Sequence, residues 1–329
     1  MKAGKIDINN LKELILNKIS AINDEVLIGP GIGEDSTVID FGDFVAVMST
    51  DPITGLQEGM GSLAVNVACN DIAANGAQPI GIQQVLLFPS STSKERITAI
   101  VEDINQAAQD LGIDILGGHT EVTDIVQQPL ISCTAIGKTT KDKFVTSAGA
   151  QPGDQIIITK WVGLEGTAIL ATDFTARLLE LGLEAEIIEE AQQLTEYLSV
   201  IPEGLLGAEL KVNAMHDITE GGLYGSLFEL AEAAGVGFTI EESAIPLHRT
   251  TERITELLNI NPYHLIGSGA MILTTAEGKS VVDKLTVAGI NAMIIGEITS
   301  QQRVIVTEKG RIELNQAPQD ELWRFLAEN

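Results

Sequence analysis

The stretch Asn66-Val67-Ala68-Cys69-Asn70-Asp71-Ile72-Ala73-Ala74-Asn75-Gly76-Ala77-Gln78-Pro79 places an aspartate where a helix should be burying apolar surface. From Gly61 to Asn75 the spacing is helical, with Leu63, Ala64, Val67, Ala68, Asp71 and Ile72 on one side. Gly76-Ala77-Gln78-Pro79 ends the helix. An unpaired carboxylate on such a face is costly, so Asp71 demands a partner.

Upstream, strands are expected at Thr37–Ile39 and Val45–Met48, and Asp51 closes the strand Val45–Thr50 just before Pro52. Asp35 follows the loop Gly29-Pro30-Gly31-Ile32-Gly33-Glu34. A first helix is expected from Leu11 to Ile22, with Leu11, Leu14, Ile15, Ile19 and Ile22 on one face and Asn10 and Glu13 as its cap. Downstream come a buried strand Ile82–Phe88, a helix capped by Ser93, and a short strand Ile113–Leu116. That strand should end at the turn Gly117-Gly118-His119-Thr120-Glu121, before another strand, Leu130–Ile136.

The turn signal Gln151-Pro152-Gly153-Asp154 divides the chain into two domains, residues 1–148 and 149–329. The second half alternates in the same way. Helices are expected at Leu164–Thr172, Ala176–Ser199, Gly222–Ala234 and Gly278–Ala288. Strands are expected at Gln155–Thr159, Phe238–Ile240, Ala270–Thr275, Ala292–Ile298 and Arg303–Thr307. Mixed strands and helices in both halves mean two α/β or α+β domains.

Composition narrows the function. With 329 residues and 44% apolar residues, a large core is expected. The 20 basic and 46 acidic residues leave a net charge of −26, which repels nucleic acid phosphates and acidic membranes. Such a chain can hold a phosphate ligand only with metal cations, backbone amides or helix N-termini. Cys69 and Cys133 are the only cysteines, isolated in apolar runs and without zinc spacing. The first residues lack an apolar leader, and no run approaches the roughly 18 apolar residues of a membrane span. A cytoplasmic location is therefore expected.

Three generic motifs fail on context. Gly29, Gly31 and Gly33 precede an acidic pair and a strand-rich stretch, whereas a dinucleotide fingerprint opens a helix. Gly278-Lys279-Ser280 is similar to a P-loop, but Leu273 stands where that loop needs a glycine. His119, Glu121, His216 and Asp217 are zinc-ligand types without the helical HExxH spacing.

Five acids remain where loops meet regular elements: Asp35, Asp51, Asp71, Glu121 and Asp217, the last in Met215-His216-Asp217-Ile218-Thr219-Glu220-Gly221-Gly222. Singly, Asp35 and Asp217 suit turns or caps, and Asp51 a strand end. If they converge, two unit charges 4 Å apart repel by about 4 kcal/mol at an effective dielectric of 20. Magnesium, a hard ion that bridges carboxylates to substrate phosphates, is the natural counter-ion.

The order of these motifs resembles the aminoimidazole ribonucleotide (AIR) synthase superfamily, which includes AIR synthase, selenophosphate synthetase, thiamine-monophosphate kinase and the hydrogenase maturation factor HypE. The resemblance is carried by Gly31-Ile32-Gly33-Glu34-Asp35-Ser36, Met48-Ser49-Thr50-Asp51, the Asn66–Pro79 stretch, Gly117-Gly118-His119-Thr120-Glu121, Pro152-Gly153-Asp154 and His216–Leu223. It spans most of the chain, and the Gly221-Gly222-Leu223 end looks most like HypE.

The resemblance implies an N-terminal domain that forms a homodimer through its sheet, a C-terminal α+β domain, and ATP in a groove between them. Asp35, Asp51 and Asp71 match the acids that hold magnesium and phosphates, with Thr50 beside them. Asp217 matches the C-terminal acid that faces the nucleotide. Gly33, Asn70, Gly117 and Gly118 would line the groove. His119 would hydrogen-bond a phosphate or organise its loop, and Lys5 is a further phosphate contact or else a solvated lysine.

The implied activity is phosphoryl transfer from magnesium-ATP to an amide-like or carbonyl oxygen on a small-molecule or protein-borne acceptor. The alternatives are a small-molecule kinase of the thiamine-monophosphate kinase type and a nucleotide-binding maturation or regulatory partner without turnover. HypE ends in a cysteine that carries its substrate group. This chain has none after Cys133, so that tail chemistry is not expected.

Overall fold

A computed structural model describes residues 4–20, 22–53 and 59–328. The first half contains α1 (Ile8–Leu14), β1 (Val26–Ile28), β2 (Thr37–Phe41), β3 (Phe44–Ile53), α2 (Met60–Ala74), β4 (Gln78–Phe88), α3 (Lys94–Asp110), β5 (Asp114–Val122) and β6 (Leu130–Thr140). Its six strands form one sheet in the order β1-β2-β3-β6-β4-β5, antiparallel except for the β4–β5 pair.

The second half contains β7 (Gln155–Thr159), α4 (Leu164–Asp173), α5 (Thr175–Glu180), α6 (Ala185–Gln192), α7 (Ile201–Glu209), β8 (Ala214–Asp217), α8 (Gly222–Ala234) and β9 (Gly237–Glu241). It continues with α9 (Arg249–Leu258), β10 (Met271–Thr275), α10 (Gly278–Val287), β11 (Ala292–Thr299), β12 (Arg303–Thr307), β13 (Gly310–Glu313) and α11 (Glu321–Glu328). Its seven-stranded sheet runs β13-β12-β9-β11-β7-β10-β8. The first sheet buries a core containing Val45, Val47, Ile72 and Ile82, whereas the second is covered on both faces, with Ile156, Leu227, Phe238 and Ile272 in one core and Ile157, Met215 and Leu273 in another. No described helix is long and apolar enough to cross a membrane.

Helix α2 is the pivot of the molecule. It packs on β3, β6 and α3, and α7 of the second half closes over it. The approach is tight because Gly204 lacks a side chain: a Cβ there would lie 2.1 Å from the Ala73 carbonyl oxygen. Asn70 completes the join. Its amide nitrogen donates to Leu198 O at 2.8 Å, and its oxygen accepts from Val200 N at 2.9 Å. Both polar ends of Asn70 are thus consumed in tying the two halves together, and it does not line the groove as expected. Lys160 secures the same segment, donating to Ser199 O at 2.6 Å and pairing with Glu203 at 2.8 Å.

Three expected elements differ. The first helix starts earlier, because Asp7 rather than Asn10 caps it, and it stops at Leu14. Leu14, Ile15, Ile19 and Ile22 are exposed, so apart from half-buried Leu11 the apolar face read from the sequence has no cover among the described residues. The single helix expected over Ala176–Ser199 is broken into α5, α6 and a 3-10 turn, with Gly182 at φ +89° in the break. Gly117-Gly118-His119-Thr120-Glu121 is no turn: β5 runs through it to Val122, and its two glycines take φ values of +141° and +150°.

Removing the Asn70 side chain leaves a buried carbonyl and a buried N–H unpaired, each worth roughly 1–3 kcal/mol. Asn70→Ala is expected to destabilise the chain by about 2–4 kcal/mol. Urea unfolding will check this, and an unchanged midpoint would contradict the tie.

Candidate functional site

The strand period brings the first acids together. Val45, Val47, Ser49 and Asp51 occupy alternate positions of β3, so the face that buries two valines also aims Ser49 and Asp51 toward α2. There Asp71, 6% exposed, meets them. Ser49 Oγ donates to Asp71 and lies 3.3 Å from Asp51 Oδ2. Asp217, at the end of β8 and paired with Met271 of β10, enters from the second half. It is 1% exposed, and its Oδ2 has no hydrogen-bond partner.

Electrostatics registers the convergence. Burial first, then Asp51, Asp217 and Asp35, hold the Asp71 carboxyl well above the ordinary carboxylate range. Burial and the charges of Asp35 and Asp51 push Asp217 up to about 8. Glu34 rises to about 7, chiefly by burial and then by Asp35.

Asp35 is held differently. His216 Nδ1 stands 2.6 Å from its Oδ1, and His216 Nε2 stands 3.6 Å from Glu229 Oε2. Glu229 in turn pairs with Lys5 at 2.7 Å. Burial alone would lower His216, but Asp35 and Glu229 raise it to about 10. Burial would raise Glu229, but His216 and Lys5 hold it near 2. This relay runs from the N-terminal segment through α8 and β8 to the loop before β2. Gly33 permits it: with φ +71°, it sits so close to α8 that a Cβ would lie 2.4 Å from Glu229 O.

All these groups except His216 line one cavity of about 680 Å³ between the two halves. Lys5, Gly33, Asp35, Thr50, Asp51, Asp71 and Asp217 are in its wall, and Thr50 is fixed by a 2.9 Å hydrogen bond to Thr134. Lys5 stands at the cavity wall with its side chain 49% exposed, and its ammonium is engaged by Glu229.

Gly117, Gly118 and His119 are elsewhere. They lie on the exposed edge strand β5, where His119 makes only a 3.4 Å contact with Glu121. In place of Asn70 and these three, the cavity wall includes Glu34, Ser49, Glu165, Glu220, Glu229 and Ser268. Glu229 was open to detection, since it is a charge inside the apolar helix Gly222–Ala234, as Asp71 is in its own.

The acids fit magnesium in chemistry but form no finished cage. Among the described residues no three His, Cys, Asp or Glu side chains stand close enough to hold an ion by themselves. The donors at the cluster are oxygens, Asp217 Oδ2 is buried and unpaired, and burial with the neighbouring carboxylates holds the Asp71 carboxyl above its ordinary range. That suits an ion that keeps waters and takes further oxygens from a substrate phosphate.

Comparison with known proteins gives consistent matches. Residues 33–139 match the family model "AIR synthase related protein, N-terminal domain", and residues 151–309 match its C-terminal counterpart. A putative hydrogenase expression/formation protein of Methanocaldococcus jannaschii is 29% identical over 318 residues, covering 93% of this chain and 91% of its own length. The carbamoyl dehydratase HypE of Cupriavidus necator is 28% identical over 277 residues, covering 79% and 75%. Among solved structures, a hydrogenase maturation protein HypE in complex with ATP superposes with a TM-score of 0.68 at 20% identity, covering 97% and 94%.

The site makes stability pH-dependent in a definite direction. His216, raised from 6.5 to about 10, contributes fully below pH 6.5 and is lost as pH passes 10. Asp217, raised from 3.8 to about 8, favours the folded chain when protonated, so its cost grows from about pH 4 to 8. Both act in the same sense, so the thermal midpoint in chelator should fall from pH 6 to 9. Asp217→Asn should flatten that fall, and scanning calorimetry will show whether it does.

Proposed function

Because the chain belongs to the AIR synthase related family, we propose that its interdomain cavity binds magnesium-ATP and transfers the γ-phosphoryl group to an amide-like or carbonyl oxygen, as a HypE-like enzyme. The observation that carries this reading is the meeting of Asp35, Asp51, Asp71 and Asp217 in one cavity wall. Lys5 is the only cationic side chain among the described residues of that wall, and Glu229 already neutralises it. A triphosphate therefore enters this cavity only with metal ions.

Magnesium, when bound, neutralises charge on the transferring phosphoryl group, which is the main requirement of such a transfer. Asp51 and Asp71 from the first half and Asp217 from the second would hold it together with phosphate and water oxygens, and Asp35, paired with His216, would add a further carboxylate nearby. Thr50 and the Gly33 loop would shape the wall beside the phosphates. The acceptor oxygen attacks the γ-phosphorus in line and ADP leaves; the resulting phosphate ester is then lost by displacement or elimination, with release of inorganic phosphate. The family supplies the acceptor chemistry, since fold alone does not fix it. Kinase-type and non-hydrolysing readings use the same cavity, and product analysis separates them: a stable phosphorylated acceptor, inorganic phosphate, or neither.

The active form we propose is a homodimer joined at β5. Every residue of that edge strand is exposed, yet Ile115, Leu116 and Val122 lie on it, beside exposed Ile80 and Val85 of β4. A long apolar edge is an aggregation hazard unless another chain covers it. Gly117, Gly118 and His119 are then interface residues. Leu116→Asp should shift sedimentation toward the monomer, whereas an unchanged species would exclude this interface.

Asp51→Asn and Asp71→Asn are each expected to lower magnesium-ATP turnover by roughly 100-fold, the scale of a lost charge-stabilising group. Full nucleotide binding and turnover in both would remove the site assignment.

A further inference from the structure

One end of the cavity takes no part in this chemistry. Glu165, in the first turn of α4, is 4% exposed and lines the wall. It accepts from the Ser268 amide at 3.3 Å. The Ser268 side chain is also in the wall and 1% exposed, and its hydroxyl lies beside the Glu165 carboxyl with no other partner among the described residues. Glu220 joins them from the loop before α8, receiving the Lys5 backbone N–H at 2.6 Å. Ile169, Ile266 and the ring of Trp323 form the rest of this end.

These groups ask for a particular ligand. Among the described residues of the wall the one ammonium, Lys5, is taken by Glu229, so none of their cationic side chains answers Glu165. Burial pushes its carboxyl to about 7, and a positive ligand would hold it ionised. The Ser268 hydroxyl beside it keeps an acceptor lone pair for an N–H at the same place. An inorganic cation would need more oxygens than isoleucine and tryptophan walls supply. An organic cation suits them, with its carbon frame on the apolar side chains and its charge near the indole face.

We propose that the Glu165–Ser268–Glu220 end of the cavity binds the ammonium or amidinium group of the acceptor molecule. The inference rests on the reading that the aspartate end takes the phosphates, so that this end is left for the acceptor. Glu165 and Glu220 are then specificity-determining residues that select a positively charged acceptor over its neutral isostere.

The test is calorimetric titration of benzamidine and neutral benzamide into the whole chain, with and without magnesium and a non-hydrolysable ATP analogue. Benzamidine should bind at least about tenfold more tightly, as expected for a buried charge-assisted contact. Glu165→Gln should erase that preference and Ser268→Ala should reduce it. Both should keep the melting temperature and the nucleotide affinity. Equal binding of the two probes, no binding of benzamidine, or an unaltered preference in Glu165→Gln would overturn the proposal. So would a loss of nucleotide affinity in Glu165→Gln, which would give this end to the nucleotide. If Asp51→Asn and Asp71→Asn bind and turn over ATP normally while the benzamidine preference persists without nucleotide, the ATP reading fails and the cation site stands.

Discussion

The repulsion among buried carboxylates governs this molecule. Asp71 and Asp217 are nearly inaccessible, Asp51 stands beside them, and of the described cations His216 opposes the repulsion at Asp217 without overcoming it. At an effective dielectric of 20, each pair of ionised groups 4 Å apart costs about 4 kcal/mol. The chain meets that cost in two ways. The Asp71 and Asp217 carboxyls are held above the usual range, and Asp35 is paired with His216. On the proposed reading a divalent cation would take over both tasks and relieve the repulsion.

Such strain persists only if the surroundings hold the acids in place. The β3 register fixes Asp51 opposite Cys133 of β6, and α2 fixes Asp71 one layer away. Asp217 belongs to the other half, so its approach depends on the join between halves. Asn70 and the Gly204 contact supply that join close to the acids, and Lys160 braces the engaged segment within the second half. Folding energy from the two cores and these interdomain hydrogen bonds offsets the electrostatic cost. The relay from Lys5 through Glu229 and His216 to Asp35 crosses the same boundary, so the N-terminal segment and the acid cluster share one network.

Much of this was legible in the sequence, for physical reasons. Asp71 declared itself as a charge at an apolar helix position, and the alternation of β3 made Asp51 face the same way. Asn70 carried the same signal and had the opposite meaning. A buried polar side chain is either a ligand or a satisfied tie, and only the positions of Leu198 O and Val200 N, far along the chain, decide between them. His216 was hidden for a similar reason, because its partners Asp35 and Glu229 come from different halves. The Gly-Gly pair was misread because local rules assign paired glycines to turns. Here Gly118 instead lets β5 pass close to β4, where a Cβ would lie 1.9 Å from Gln84 O.

The charge balance of the chain points the same way as its site. A protein with a net charge of −26 gains nothing by attracting a polyphosphate over long range. Its affinity must come from short-range contacts made after the phosphate charge has been cancelled. On the proposed reading the acidic cavity would therefore act as a filter, repelling free ATP and admitting its magnesium complex. The same reasoning reaches Glu165, which lies against apolar side chains of the same wall. A cavity lined by so many carboxylates disfavours anions that arrive without a counter-ion. It would thus take the two proposed reactants as a metal-bound donor and an acceptor that carries no negative charge.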